Sequence, residues 1–175
     1  TVTSTNDVAK NLCKDTEECI LVVADGQTNG RGRQGKSFFS PNGSGLYFSM
    51  VFNTDSPAFD FTGVTCAVAV ACARAIEKLC NLNVKIKWVN DIYIENKKVC
   101  GILTEAVMEA NPTELPAVVV GIGINLSTEV FPEELQGIAG GFGAVADAVE
   151  RNELVARIVN GVLDFAKDLR DCSFV

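Results

Sequence analysis

Val84-Lys85-Ile86-Lys87-Trp88-Val89-Asn90-Asp91-Ile92-Tyr93-Ile94-Glu95-Asn96-Lys97-Lys98-Val99-Cys100-Gly101-Ile102-Leu103-Thr104-Glu105 decides the fold. Val84 to Trp88 and Ile92 to Ile94 alternate apolar with polar side chains, the period of a half-buried strand. Glu95-Asn96-Lys97 forms a turn leading into an apolar run, and strands joined by such short turns pair antiparallel. Val99 to Glu109 and Ala117 to Leu126 continue as strands. The strict βαβ alternation of a dinucleotide fold is missing.

Outward from this block the elements change type. Phe61 to Leu79 is apolar nearly all round, which predicts a central helix covered on most sides. Leu46 to Phe52 is aromatic-rich and strand-like, and Cys19 to Ala24 reads as a buried strand. Ser4-Thr5-Asn6-Asp7 supplies capping side chains for a short first helix. Asn152 is the expected N-cap of an amphipathic last helix running to about Arg170. Pro132 and Gly137, Gly140, Gly141 and Gly143 mark an irregular stretch between. The class is α+β, a mixed or antiparallel sheet covered by helices.

The chain has 175 residues, 47% of them hydrophobic, which suits one domain with a real core. A net charge of -7 and a pI near 4.6 exclude a general nucleic-acid or polybasic membrane surface. No apolar run reaches the roughly 18 residues of a membrane span. Seven cysteines without a C-x-x-C pair, and no histidine, read as reduced and mostly buried thiols in a reducing, cytoplasmic compartment. The chain opens on Thr1, which reads as an excised domain.

Against that acidic background, Gly30-Arg31-Gly32-Arg33-Gln34-Gly35-Lys36 packs three cations among three glycines. Such a loop can curl round a small anion with N–H groups and guanidinium forks; the bland reading is a solvated basic loop. Lys87-Trp88-Val89-Asn90-Asp91 could face a nucleotide and its metal, or form an ordinary turn with Trp88 anchored in the core. Gly101 inside a strand suggests a bulge or a ligand against the backbone. Gly121 and Gly123 fall on one strand face. They leave a flat strip for a ligand ring or for close packing of a helix.

Taken in order, Ser4-Thr5-Asn6, Gly30 to Gly35, Lys87 to Asp91, Lys98 to Glu105 and Gly121-Ile122-Gly123-Ile124-Asn125 resemble the catalytic domain of biotin protein ligases, also called biotin–[acetyl-CoA-carboxylase] ligases. The resemblance implies a class II synthetase-like biotin/lipoate ligase fold and a two-step reaction. Biotin attacks the α-phosphorus of Mg-ATP, and the biotinyl-5′-adenylate then acylates a lysine of a biotin carboxyl carrier protein, a subunit of a biotin-dependent carboxylase. It implies biotin, ATP and Mg2+ as ligands. Ser4, Thr5, Asn6 and Gln27 would lie near the biotin ring. Gly30, Arg31, Gly32 and Arg33 would close over biotin and the adenylate. Lys98, beside Gly101, would reach the carboxylate and phosphate. Lys87, Asn90 and Asp91 would face ATP, and Gly121, Gly123 and Asn125 would run beside biotin and adenine. Arg33, Lys98 and Lys87 would be the catalytic cations, with no metal-holding residue assigned.

Phe38 falls where the family often has a tryptophan that stacks on adenine, and Val89 where it usually has proline. Residues 1–175 then form one catalytic domain, without the family's N-terminal helix-turn-helix or small C-terminal β domain. Family members are monomers or homodimers. A lipoate or octanoyl transferase of the same superfamily, or a biotin binder without turnover, are the alternatives.

Overall fold

The computed structural model describes residues 1–13, 18–53, 61–107 and 117–171. In chain order the elements are α1 (Thr5–Leu12), β1 (Ile20–Ala24), β2 (Gly45–Asn53), α2 (Phe61–Cys80), β3 (Lys85–Lys87), β4 (Asp91–Ile94), β5 (Lys97–Val107), β6 (Ala117–Asn125) and α3 (Arg151–Asp171). The six strands form one sheet ordered β1-β2-β6-β5-β4-β3, and every neighbouring pair is antiparallel. Of the two sheet types expected, the antiparallel one is realised.

Strand periodicity separates two faces. On one, Phe48 and Met50 of β2, Val118, Val120, Ile122 and Ile124 of β6, and Cys100 and Ile102 of β5 pack beneath α2 and α3. Helix α2 meets them with Val64, Val68, Cys72 and Ile76, each four residues on from the last along its buried stripe. Each fully buried Val or Ile contributes roughly 1.5–3 kcal/mol. On the other face a smaller cluster, Ala9, Val51, Ala117 and Val119, seats α1 over β2 and β6. The rest of that face is polar, glycine-lined and open to the cleft.

Several boundaries and burials differ from expectation. Strand β1 is an edge strand rather than a buried one, with Leu21 and Val23 45% and 53% exposed. Strand β5 begins at Lys97, and the expected terminus Glu109 lies outside the described residues. Helix α3 starts at Arg151, with Leu154 N–H bonded to the Glu150 carbonyl at 3.0 Å, so Asn152 is inside the helix rather than capping it. Trp88 is 77% exposed and anchors no core, because β3 is a three-residue strand at the edge of the sheet among the described residues. Of the six described cysteines, only Cys72 and Cys100 are buried and Cys19 is exposed; Cys172 lies outside the described residues. The Cys100 thiol and burial push the Cys72 thiol well up, which keeps it protonated.

Candidate active site

The first turn of α1 lies over the polar face of the sheet. Ser4 is its N-cap by backbone conformation but makes no side-chain cap bond. Thr5 and Asn6 instead build a buried hydrogen-bond floor. Gln27 Oε1 accepts the Thr5 N–H at 2.8 Å and its hydroxyl at 3.2 Å, while Gln27 Nε2 donates to Ser40 Oγ at 2.9 Å. Ser49 Oγ, from the centre of β2, lies 2.7 Å from Thr5 Oγ1 and 2.6 Å from Asn6 Oδ1. A hydroxyl has one proton to give. Ser49 therefore satisfies one of these two oxygens, and the other keeps a lone pair for a further donor.

The glycine-arginine segment forms a small closed hairpin. Phe38 N–H donates to the Gly30 carbonyl at 2.8 Å and Gly32 N–H to the Lys36 carbonyl at 2.7 Å. The tip turns through Gln34 and Gly35, with φ of 56° and 75°. Arg31 points back to the sheet: its NH2 lies 2.7 Å from Asp7 Oδ1 and 2.9 Å from Glu105 Oε2. Arg33 is exposed and, among the described residues, reaches an amide oxygen, that of Asn90, at 3.3 Å. Asn90 in turn donates to the Ile102 carbonyl at 3.1 Å.

A bulge supplies the other cation. Asp91 pairs with Gly101, Ile92 with Cys100, but Tyr93 pairs with Lys98, so Val99 is the extra residue on β5. In a regular strand Lys98 and Gly101 would face opposite sides. The bulge puts both on the cleft face, where Lys98 Nζ meets Asp91 Oδ1 at 2.7 Å and lies 6.0 Å from the centroid of Phe38.

Side chains of the protein itself cover the glycine strip. A methyl group at Gly121 would overlap the Asn6 amide, and one at Gly123 would stand 2.6 Å from Phe38 Cε1. Gly101, paired with Gly123, leaves room for the same ring, 3.0 Å from where its Cβ would be. Gly121 thus fits the packing reading of the strip, while Gly123 and Gly101 lie against the protein's own Phe38 ring.

Thr5, Asn6, Gln27, Arg31, Gly32, Arg33, Phe38, Asn90, Lys98, Gly101, Gly121 and Gly123 line one cleft with Ile102, Leu103 and Ile122. Its free volume is about 40 Å3, below the roughly 300–1,000 Å3 of small-molecule sites, because Asn6 and Phe38 lie over the glycine strip. Five sequence candidates stand outside that lining. Gly30 carries the hairpin root against Ser40. Ser4 is buried at the helix start. Asn125 is buried with its Oδ1 unpartnered. Lys87 is exposed on β3, its Nζ 5.5 Å from the Tyr93 centroid. Asp91 enters through its pairing with Lys98. The Trp88–Val89 peptide, at the position of the family's proline, is cis. Sequence reasoning missed Ser49, Ser40, Glu105, Asp7 and Lys10. Ser49 left a signal, being one polar residue in an otherwise apolar strand run. Glu105 was part of a quoted motif but given no role.

Glu105 is the electrostatic centre of the α1 side. Burial raises its pKa, but hydrogen bonds from Asn6 and Lys10 and the charges of Lys10 and Arg31 outweigh this and hold it below the ordinary carboxylate value.

The antiparallel sheet thus carries a polar floor, an aromatic ring on a glycine strip and the two cations Arg33 and Lys98 at one cleft. Residues 1–125 match the biotin/lipoate A/B protein ligase family, and the chain belongs to that family. The bifunctional ligase/repressor BirA of Bacillus subtilis (strain 168) is 37% identical over 174 residues, covering 97% of this chain and 52% of that protein. That of Escherichia coli (strain K12) is 28% identical over 161 residues, covering 90% and 49%. A biotin protein ligase from Aquifex aeolicus, in complex with biotin and ATP, has a TM-score of 0.83 at 28% identity, covering 99% of this chain and 70% of that one. The chain spans about half the length of the curated relatives it matches.

Proposed function

We propose that this chain is the catalytic domain of a biotin protein ligase. A biotin carboxylate oxygen attacks the α-phosphorus of ATP, the bond to the β-phosphate oxygen breaks, and pyrophosphate leaves. A lysine amine of a biotin carboxyl carrier domain then attacks the acyl carbon of biotinyl-5′-AMP, losing a proton and releasing AMP. The observation that carries this reading is the convergence of a neutral polar floor and two cations, Arg33 and Lys98, on one cleft. The first step joins two anions, and fixed positive charge beside the reacting oxygens lowers its barrier.

In this reading the Thr5, Asn6 and Gln27 floor meets the neutral ring of biotin, with Ser4 setting the start of the helix. Lys98, aimed by the bulge and held by Asp91, lies between the carboxylate and the α-phosphate. Arg33, on the exposed hairpin with Gly30 and Gly32, closes over both. Phe38 supplies the aromatic face for adenine, and Asn90 and Asn125 supply amides on that side. Lys87 shares the Asp91 face and adds positive potential toward the triphosphate.

Among the described residues no group of three or more His, Cys, Asp or Glu side chains could hold a metal. Asp91 fits as one protein oxygen for a Mg2+ ion that enters on ATP, since such ions keep substrate oxygens and water as most of their ligands. When bound, the ion offsets phosphate charge. Among the described residues no helix is long and apolar enough to cross a membrane, and we place the protein in the cytoplasm. Residues 1–175 act as one catalytic unit in this proposal, and the open edges of β1 and β3 are surfaces along which two copies can pair.

The test is pyrophosphate release from ATP with biotin, lipoate or octanoate added. Release with biotin alone supports the proposal. A melting-temperature rise with lipoate or octanoate and none with biotin favours the transferase alternative, and biotin binding without release favours a binder.

A further inference from the structure

Four charged groups at the root of the basic hairpin cancel: Asp7 and Lys10 on α1, Arg31 on the hairpin, Glu105 on β5. One Glu105 oxygen accepts Arg31 NH2 at 2.9 Å and Asn6 Nδ2 at 2.7 Å, and the other takes Lys10 Nζ at 2.7 Å. Arg31 NH2 is also 2.7 Å from Asp7. The Glu105 carboxylate is thus tied to donors from α1 and from the hairpin.

Two consequences follow from simple charge and valence. A ligand anion competing for Arg31 NH2 must displace two carboxylates already at hydrogen-bond distance, the buried Nε being without a hydrogen-bond partner among the described residues, whereas at Arg33 it displaces one neutral amide. Arg31 is therefore suited to anchoring and Arg33 to binding, although the two alternate in one Gly-Arg-Gly-Arg run. Secondly, an amide has one donor end and one acceptor end. With Nδ2 held by Glu105, Asn6 must present Oδ1 to Ser49 and to the floor.

We propose that Asp7 and Glu105 form a carboxylate latch that fastens the basic hairpin through Arg31, and that Glu105 is a positioning residue that sets the polarity of the floor through Asn6. The second half rests on the reading of the cleft as a biotin site; the first does not. Glutamine at 105 replaces one carboxylate oxygen with an NH2 group. It cannot accept from Lys10, Arg31 and Asn6 together.

The experiment has two arms. In the first, trypsin cleavage after Arg33 is timed without biotin for the wild type, Glu105→Gln, Arg31→Met, the double variant and Asp7→Asn. The latch predicts faster cleavage at Arg33 in each single variant, least in Asp7→Asn. The double variant should be no faster than Arg31→Met, because both changes undo one contact. Wild-type rates in Glu105→Gln overturn the latch. So does equal acceleration at every tryptic site, which would report general unfolding; Asp7→Asn, which spares the Asn6 bond, then serves as the milder test.

In the second arm biotin affinity is measured calorimetrically. Glu105→Gln should lose roughly tenfold or more, the scale of a hydrogen bond to a charged group, and Asp7→Asn under about threefold. Unchanged affinity in Glu105→Gln overturns the positioning role. A wild type that ignores biotin overturns the proposed function and leaves the latch to the first arm.

Discussion

Lys98 and Arg33 flank the same cleft under opposite constraints. Lys98 is held by Asp91 at 2.7 Å on a strand, while Arg33 rides an exposed hairpin tip on one 3.3 Å bond. A pre-organised charge costs no reorganisation when the reaction occurs. Lys98→Met should therefore lower the biotin-dependent pyrophosphate burst by about 100-fold or more, mainly in kcat. Arg33→Ala should weaken biotin binding as well, since an exposed cation contributes when it contacts the ligand. Single-turnover kinetics separate the two, and full bursts in both variants would refute the assignment. These two cations were legible in the sequence because each sits in a short, ordered motif. The partners that constrain them were only partly so. Asp91 lies within a motif, but Asp7 and Lys10 are ordinary charges on a helix, and their meeting with Arg31 and Glu105 depends on how α1 crosses the sheet. The expectation for Trp88 failed for a similar reason. Aromatic residues near strands are usually core, and only the sheet order shows that β3 is an outer strand.

At the scale of elements, the cleft depends on β5 and β6 presenting a face without side chains. Gly101 hinted at a bulge, and one occurs two residues earlier, at Val99, where it turns Lys98 to the cleft. The sequence placed the two strands and the glycines correctly on one face. What it could not supply was the identity of the groups lying on them, because Asn6 and Phe38 arrive from distant segments. Gly121→Ala tests this contact. The added methyl overlaps the Asn6 amide, in contact with a helix turn that is itself pinned through Gln27 and Ser49. Overpacking of this kind costs typically 1–3 kcal/mol. The variant should show a lowered melting temperature and weakened biotin binding, with ATP binding little changed. Gly143→Ala is a useful contrast: it has open space around its Cβ and a φ of 63°, so its cost is backbone strain remote from the cleft, with biotin affinity preserved.

For the whole molecule, acidification applies two opposed effects. The chain carries a net charge of -7 at neutral pH and a pI near 4.6, so lowering the pH first relieves self-repulsion and stabilises the fold. Glu105 works the other way. Its folded-state pKa is below the ordinary 4.5, so it contributes stability that is fully present above the unfolded value and is lost as pH falls through the folded one. The total curve mixes the two, and only a difference isolates the latch. The urea midpoint of the wild type minus that of Glu105→Gln should be constant from about pH 7 to pH 5.5 and shrink below about pH 4.5. Since the group is only partly buried, solvent screening keeps the change modest. A difference that stays flat down to the acid transition would mean that Arg31, Lys10 and Asn6 do not favour the charged form of Glu105, and the electroneutral cluster would then be a contact without a coupling.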